Sequence, residues 1–346
     1  MKMSYKHRLT TLFAAGLLLS ACAKWTEPQS VDFGDGIKTV SEEYLAALRA
    51  FKATEHKVTI VTMDGQSVRP SSRSHHLIDM PDSADYICMR HVAGLFPSIA
   101  EEIPQVREKK GTKVICDVDY QSLSSAWQDM EDAREGEDTR TEAQIEAEFR
   151  AYVSEGADRQ LACCDEFGFD GIMVSYSGTK IGLGRAGQEA FMARVEAWKT
   201  SHQDGVLIFS GDAMNLVNTQ FLASCDYIVV PMGTTYSANA FTTTVDKFVN
   251  NFRYDAVLPE IRDKFLVEVN VPSEAYPQQE GYDPQPIVAA GWVVEAYDES
   301  KSQYTRNGIC VDNVQEDYLV SGTFAIVRRA ISLMNPLPDP EEESAE

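Results

Sequence analysis

The amino-acid sequence predicts an α/β fold, a single-domain (β/α)8 TIM barrel. Eight short segments rich in Val, Ile and Tyr recur along the chain, and amphipathic helical stretches separate several of them. Strands that are apolar almost throughout are typical of a parallel sheet covered by helices. Eight such units also fit the roughly 250 residues that a barrel of this type needs. An open, doubly wound sheet is the alternative at this point.

The chain begins with a segment that resembles a bacterial lipoprotein signal. Basic residues precede an apolar run (residues 9–19), which closes on Leu19-Ser20-Ala21-Cys22. The run is too short to span a bilayer, and small residues directly before a cysteine resemble a lipobox. We therefore expect residues 1–22 to be a signal peptide whose lipobox cysteine, Cys22, carries a lipid anchor. An ordinary secretory signal with a chance cysteine is the alternative.

The remaining chain is divided by composition. Residues 23–50 are predicted to be a tether followed by a leading helix, which Ser41 can cap. The barrel is predicted over residues 51–335, and the acidic stretch 336–346 is predicted to be a frayed tail. The formal net charge of −22 at pH 7 argues against nucleic acid and against an electrostatic grip on anionic membranes. Membrane contact is therefore expected through the lipid anchor alone.

The predicted strands leave room for helices between them. They cover residues 57–64, 85–92, 112–120, 169–177, 205–212, 226–233, 264–271 and 308–314. Helical spacing of apolar residues is clearest in the stretches that begin at Glu142, Gln188 and Phe324. Residues 129–142 are acidic and weakly periodic, which favours a solvated loop after the third strand over a lid.

Metal and nucleotide sites are not expected. His75, His76 and His91 have no partners at metal-ligand spacing, and the six cysteines after Cys22 show no C-x-x-C pair, so we expect buried free thiols and no cofactor. The run Gly182-Leu-Gly-Arg-Ala-Gly187 matches G-x-G-x-x-G. Its first glycine follows the preceding strand too late for a dinucleotide turn, so a flexible loop is favoured.

The fourth predicted strand carries the most informative motif, GFDGIMVSYSG (residues 168–178). Side chains alternate along a strand, so residues 172, 174 and 176 are predicted to pack against helices. Met173, Ser175 and Ser177 would then face the barrel interior, with Ser177 at the mouth. The carboxyl ends of the strands carry the site in barrels of this type.

This strand resembles the fourth strand of glycoside hydrolase family 18, the chitinase and endo-β-N-acetylglucosaminidase family, which carries D-G-x-D-x-D-x-E. Asp170 and Gly171 are present, but the other acids of the pattern fall on Met173, Ser175 and Ser177. In the family reaction the glutamate protonates the leaving oxygen while the sugar's own acetamide attacks. A hydroxyl releases no proton near neutral pH. The resemblance therefore implies a barrel without catalytic residues that binds N-acetylglucosamine-containing glycans.

The glycan-binding candidates are polar or aromatic residues near the ends of predicted strands: Asp117, Asp119, Tyr120, Ser177, Asp212, Tyr236, Glu268 and Asp312. Tyr276 and Trp292 are further aromatic candidates. The acids could instead satisfy amides at the strand ends. One alternative function is hydrolysis by a relocated pair such as Asp119 with Asp212 or Glu268. A scaffold lipoprotein that binds no glycan is another. The expected location is the bacterial cell envelope, at the outer membrane, with glycan-uptake proteins as partners.

Overall fold

A computed structural model describes residues 41–136, 138–297 and 302–336. Its eight strands form a closed barrel in which each strand pairs in parallel with the next and the last pairs with the first. The prediction of a (β/α)8 barrel is thereby confirmed. The strands are β1 Val58–Asp64, β2 Tyr86–Arg90, β3 Lys113–Asp119, β4 Gly171–Tyr176, β5 Val206–Gly211, β6 Tyr227–Pro231, β7 Phe265–Asn270 and β8 Gly308–Asp312.

Helices surround this barrel. They are α1 Glu42–Lys52, α2 Pro97–Ala100, α3 Glu102–Lys110, α4 Tyr120–Asp132, α5 Glu142–Phe167, α6 Gly182–Ser201, α7 Ala238–Asn250, α8 Leu258–Ile261, α9 Gln285–Val294, α10 Val314–Ser321 and α11 Ala325–Met334. Short 3₁₀ helices lie at Arg73–His75, Leu77–Asp79, Ala213–Asn215 and Thr219–Ser224. The predicted leading helix is α1. Within the described residues, no helix has the length and apolar character needed to cross a membrane.

Strand alternation separates two apolar layers. One fills the barrel and contains Val58, Ile60, Cys88, Ile115, Met173, Val206, Ile208, Val229, Leu266 and Cys310. The other lies between strands and helices, where Ile172, Val174 and Tyr176 pack. Burial of such side chains stabilises the fold by about 1.5–3 kcal/mol each. The predicted outward face of β4 and the predicted inward positions of Met173 and Ser175 are confirmed, while Ser177 follows the end of the strand.

A helical hairpin follows β3 and lengthens this connection. Trp127 of α4 packs on Phe149 of α5, with ring centroids 5.3 Å apart. Leu123 approaches Gly156 so closely that a Cβ there would lie 2.4 Å from the leucine Cδ2, so the helices run antiparallel in close contact. The predicted acidic loop is shorter than expected, because α4 continues to Asp132 before the chain turns.

The glycine-rich segment is the start of α6, not a flexible loop. A Cβ on Gly187 would lie 2.6 Å from the Tyr120 Oη and 2.5 Å from Phe149 Cε1. A Cβ on Gly184 would lie 2.1 Å from Thr179 Oγ1. These glycines therefore serve close packing of α6 against α4, α5 and the preceding loop. The expectation of a loop here was wrong, because glycine spacing alone does not distinguish loop freedom from tight helix packing.

The six cysteines of the described residues are free, as predicted. Cys163 is half-buried and the other five are buried. The predicted signal peptide, Cys22, the tether up to residue 40 and the tail from residue 337 lie outside the described residues.

Candidate functional site

A ring of polar side chains lies at the mouth of the barrel, directly above the apolar filling. Each member follows an inward-facing apolar residue by two positions, so alternation along the strand aims it at the same pocket. The ring, named here the polar layer, consists of Thr62, Arg90, Asp117, Ser175, Ser210, Glu268 and Asp312. Only β6 supplies no polar side chain at this level, because Pro231 follows Val229.

One side of the polar layer is an ion pair. The guanidinium of Arg90 on β2 contacts the carboxylate of Asp312 on β8. Thr62 on β1 lies between them: it donates to Asp312 Oδ1 at 2.5 Å and accepts from Arg90 Nη2 at 3.0 Å. The backbone N–H of Asn313 also donates to this hydroxyl. These contacts fix a positive charge and a negative charge at one wall of the mouth.

Asp117 and Ser175 lie on the next two strands around the barrel, β3 and β4. Ser175 Oγ donates to Asp117 Oδ1 at 2.6 Å, which joins β3 to β4. Burial raises the pKa of Asp117 to about 6; the charge of Asp119 adds to this, while the Ser175 hydrogen bond and Arg90 oppose it. Asp117 of β3 therefore places a carboxyl group next to Ser175, which stands at a position where the family motif has an acid.

The end of β4 offers only neutral groups. Ser177 is exposed, and its Oγ donates to Gln121 Oε1 on α4 at 2.8 Å. Gln121 Nε2 in turn donates to Ser125 Oγ at 2.9 Å. Met173 is buried in the apolar filling below. A chain of hydroxyl and amide groups therefore occupies the part of the mouth where the family motif places its proton donor.

The retained motif acid lies at the other end of the strand. Asp170 precedes β4, and its Oδ2 accepts the backbone N–H of Val114 on β3 at 2.8 Å. Its Oδ1 lies 2.6 Å from Arg107 Nε. A Cβ on the adjacent Gly171 would lie 2.2 Å from the carbonyl oxygen of Val206. Asp170 and Gly171 are thus explained by strand pairing at the floor of the barrel, far from any ligand at the mouth.

Two further carboxylates, Asp212 after β5 and Glu268 on β7, are less constrained. Ser210 Oγ donates to Glu268 Oε2 at 3.3 Å. Burial raises the pKa of Glu268, against the opposing influence of Arg90 and Ser210. Burial also raises the pKa of Asp212, whose carboxylate accepts no hydrogen bond from the described residues. Both groups can accept hydrogen bonds from the hydroxyl groups of a ligand.

Two other predicted acids are committed to the protein itself. Asp119 caps α4, with its two oxygens accepting from the N–H groups of Gln121 at 2.8 Å and Ser122 at 3.1 Å. Asp312 is bound to Arg90 and Thr62. The interpretation that such acids satisfy amides at the strand ends describes Asp119, whereas the partners of Asp312 are a hydroxyl group and a guanidinium. Each Asp119 oxygen thereby accepts one backbone N–H at the N-terminus of α4.

The aromatic candidates divide into buried and exposed groups. Tyr120 has only 1% exposure and packs against Tyr176 at 4.9 Å, and Trp292 has 2% exposure. Neither ring offers a face to a sugar, so the expectation for both was wrong. Tyr236 and Tyr276 are half-buried on loops that follow β6 and β7 at the mouth. Tyr236 contacts Tyr282, a residue that the sequence did not single out.

Sequence reasoning also missed Thr62, Arg90, Ser210 and Gln121. The first three could have been found by extending each strand two residues beyond its last inward apolar residue. Gln121 has no such signal, because its contact with Ser177 depends on how α4 leaves β3. In the described part of the chain, no group of three or more His, Cys, Asp or Glu residues could hold a metal ion.

A cavity of about 370 Å³ lies at the opposite, N-terminal face. Tyr86 and Tyr227 form part of its lining, with ring centroids 5.9 Å apart. Lys52 Nζ donates to Ala84 O at 2.6 Å and to two further oxygens, and His56 Nε2 lies 2.8 Å from Asp85 Oδ1. Since Lys52 and His56 have hydrogen-bond partners within the protein, we assign this cavity a structural role at the N-terminal end of the barrel.

Comparison with known proteins agrees with this geometry. The family described as "Glycoside hydrolase family 18, BT1044-like" matches residues 26–333. A selenomethionine glutamate-to-glutamine variant of BT1044 has a TM-score of 0.57 and 16% identity, over 85% of this chain and 93% of that chain. The endo-β-N-acetylglucosaminidase from Cordyceps militaris in apo form has a TM-score of 0.59 and 15% identity, over 86% and 97%.

A double mutant of the Cordyceps militaris enzyme, in complex with fucosyl-N-acetylglucosamine-Asn, has a TM-score of 0.57 and 16% identity, over 86% of this chain and 97% of that chain. No match was found among curated protein sequences. At these identities the structural likeness establishes the fold, whereas the family match covers most of the sequence. The chain therefore belongs to glycoside hydrolase family 18.

Proposed function

We propose that this protein binds N-acetylglucosamine-containing glycans at the mouth of its barrel and does not hydrolyse them. The observation that carries the proposal is the inward face of β4, where Met173, Ser175 and Ser177 replace the acids of the family motif. General acid catalysis contributes about 10²–10⁴-fold to such reactions, and this face has no group that can supply it. The remaining hydroxyl, amide and carboxylate groups suit recognition of sugar hydroxyls.

Membership of the family supports carbohydrate as the ligand class. The Cordyceps militaris relative holds fucosyl-N-acetylglucosamine-Asn, so a barrel of this shape accommodates an N-acetylglucosamine residue. In this chain the polar layer offers both donors and acceptors, while the ion pair of Arg90 and Asp312 is already neutralised. A neutral, hydroxyl-rich ligand therefore fits the mouth better than a highly charged one.

We also propose that a lipid on Cys22 anchors the protein in the bacterial outer membrane. The supporting observation is the sequence Leu19-Ser20-Ala21-Cys22 after a short apolar run. A non-hydrolytic glycan-binding lipoprotein would hold oligosaccharides near uptake proteins in that membrane. Mass spectrometry of the mature N-terminus tests this part: a diacylglyceryl group on Cys22 is expected, and an unmodified or absent Cys22 would contradict it.

Two measurements on one sample test the glycan-binding proposal. Calorimetric titration with chitin oligosaccharides and N-glycan oligosaccharides should give heat of binding, while reducing-sugar release stays at the level of a buffer control. Cleavage that depends on a mouth residue would contradict the absence of hydrolysis, and no binding of either glycan would contradict recognition. Met173→Asp combined with Ser177→Glu should then produce measurable hydrolysis, because it restores two acids to the inward face.

A second candidate function is hydrolysis by a relocated carboxyl group. The observation that favours it is the raised pKa of Asp117, about 6, next to Ser175. A carboxyl with such a pKa is partly protonated near neutral pH and could serve as an acid. If this function is correct, Asp117→Asn abolishes sugar release without weakening glycan binding.

A further inference from the structure

Two tyrosines lie side by side on the rim of the mouth. Tyr236 belongs to the loop between β6 and α7, and Tyr282 belongs to the loop between β7 and α9. Their ring centroids are 6.3 Å apart and their planes are inclined by 53°. Tyr282 keeps 48% of its surface exposed.

One buried amide ties the loop after β6 to the end of β7. Gln285, which is 1% exposed, accepts the backbone N–H of Asn270 at 2.7 Å through Oε1. Its Nε2 donates to the carbonyl oxygens of Gly233 at 2.9 Å and Thr235 at 2.7 Å. The loop after β6 and the end of β7 are thereby tied together beneath the tyrosines. An aromatic side chain held on a fixed base loses little conformational entropy when a ligand packs on it.

The Tyr236 ring is also restrained directly. Its hydroxyl donates to the carbonyl oxygen of Pro277 at 3.3 Å, which bridges the two loops above Gln285. Tyr282 makes no side-chain hydrogen bond to the described residues, so its ring is held by the contact with Tyr236 and by its backbone. The pair thus presents one anchored ring and one accessible ring.

The position of this pair relative to β4 sets a length scale. β6 and β7 are two and three strands away from β4 around the barrel. With about 4.8 Å between neighbouring strands, the ends of β6 and β7, where these loops begin, lie on the order of 10–14 Å from the end of β4. A single pyranose ring cannot contact both places, whereas an oligosaccharide can.

We propose that Tyr236 and Tyr282 form a platform for an outer sugar of the ligand, so that the protein selects oligosaccharides over mono- and disaccharides. This inference rests on the proposed glycan binding at the mouth. Sugar rings present C–H faces that pack on aromatic rings, while the hydroxyl groups at their edges keep their contacts with water or polar side chains. The platform supplies binding energy to ligands that extend past β5 and adds none for short ones.

Calorimetry with ligands of two lengths tests the platform. The probes are the N-acetylglucosamine dimer, the chitin pentamer and the pentasaccharide core of N-glycans, each titrated into the full chain. We expect wild type to bind at least one pentasaccharide more tightly than the dimer. Tyr282→Ala should weaken that pentasaccharide about tenfold and change the dimer less than twofold, because it removes the accessible ring alone. Tyr282→Phe should retain the affinity of wild type.

Tyr254→Ala is the matched control, because Tyr254 is 88% exposed in the turn after α7, near the opposite end of the barrel. It should leave every affinity unchanged, and thermal unfolding should show that all variants are folded. Pentasaccharide binding that is unaffected in Tyr282→Ala, or equal wild-type affinity for dimer and pentasaccharides, overturns the platform while glycan binding stands. No heat with any of the three probes overturns the proposed function, and the platform with it.

Discussion

The one acid of the family motif that this chain retains, Asp170, should contribute to stability and not to ligand binding. Asp170→Ala removes a carboxylate that accepts the Val114 N–H at 2.8 Å and lies beside Arg107. The same hydrogen bond occurs at two other even-numbered strands. Asp85 before β2 accepts from Thr59 N, and Asp226 before β6 accepts from Leu207 N, both at 2.8 Å.

These three aspartates differ in burial, and this difference sets the expected magnitudes. Asp226 is exposed, the Asp170 side chain keeps 16% of its surface, and the Asp85 side chain keeps 9%. A hydrogen bond to a charged group contributes about 1.5–3 kcal/mol, and less where water can replace it. We expect alanine substitution to lower the free energy of unfolding by roughly 1 kcal/mol at Asp226, 2 at Asp170 and 3 at Asp85.

The Arg107 ion pair adds little to the Asp170 value. Its guanidinium side chain is 41% exposed, and exposed pairs contribute about 0–1 kcal/mol. Arg107→Ala should therefore lower stability by less than Asp170→Ala does. Because Arg107 Nη2 also donates to the carbonyl oxygen of Gly168 at 2.7 Å, the effect of Arg107→Ala is an upper limit for the charge pair.

Urea unfolding of the three alanine variants, followed by circular dichroism, measures the predicted series. The same samples are then titrated with the glycan that wild type binds, and Asp170→Ala should bind it with unchanged affinity. The reasoning is refuted if Asp170→Ala has the stability of wild type within about 0.5 kcal/mol but loses glycan binding. In that case Asp170 acts on the ligand, and its position at the floor of the barrel does not explain its retention.

Three further predictions concern pH and packing. Burial raises the pKa of Asp117 in the folded state to about 6, against its ordinary value of 3.8, so the folded state keeps this proton to a higher pH than the unfolded state does. The free energy of unfolding therefore falls as pH rises from about 4 to 6. Asp117→Asn should be more stable than wild type at pH 8 and differ little below pH 4, and equal stability at both pH values would contradict this. The hydrogen bond to Asp85 raises the pKa of His56, so the stability that protonated His56 contributes is present below pH 6.5 and is lost as pH rises through its folded pKa. His56→Gln should remove this loss of stability from unfolding measured between pH 6 and 9. If the loss persists in His56→Gln, it belongs to another group. Gly187→Ala should lower stability by about 1–3 kcal/mol because its Cβ meets Tyr120 and Phe149, whereas Gly291→Ala, with no atom within 4 Å, should raise it by about 0.5–1 kcal/mol; a neutral Gly187→Ala would mean that the helices can separate.

Alternation along single strands made much of the fold and part of the site predictable. On β4, the two-residue period of a strand correctly predicts Met173 and Ser175 inside the barrel and Tyr176 outside it. The same period extends to β2, where Arg90 follows Cys88. Features that depend on one strand's own periodicity are therefore accessible to sequence reasoning.

Features that depend on packing between distant segments were not predictable. The pairing of Arg90 with Asp312 joins β2 to β8 across β1, and no local pattern specifies which partner an inward arginine will choose. Tyr120 looked like an aromatic at a strand end, but Asp119 caps α4 at that point and turns the following ring into the core. Helix capping changes the direction of the chain within one residue, and a strand-end rule cannot anticipate that turn.

The distance from the Asp117 carboxyl group to Ser177, the position of the motif glutamate, argues against hydrolysis by Asp117. In the register of β3 with β4, Asp117 lies opposite Met173, and its side chain reaches only to Ser175. Ser177 lies two residues further along the strand, and a strand rises about 3.3 Å per residue, so the proton of Asp117 lies on the order of 6–7 Å below the site of the missing glutamate. Proton transfer to a leaving oxygen needs a heavy-atom distance of about 2.6–3.2 Å. A glycan linkage bound at the level of Ser177 is therefore out of reach of the Asp117 carboxyl group. The raised pKa of Asp117 is therefore better explained as a consequence of burial than as preparation for catalysis.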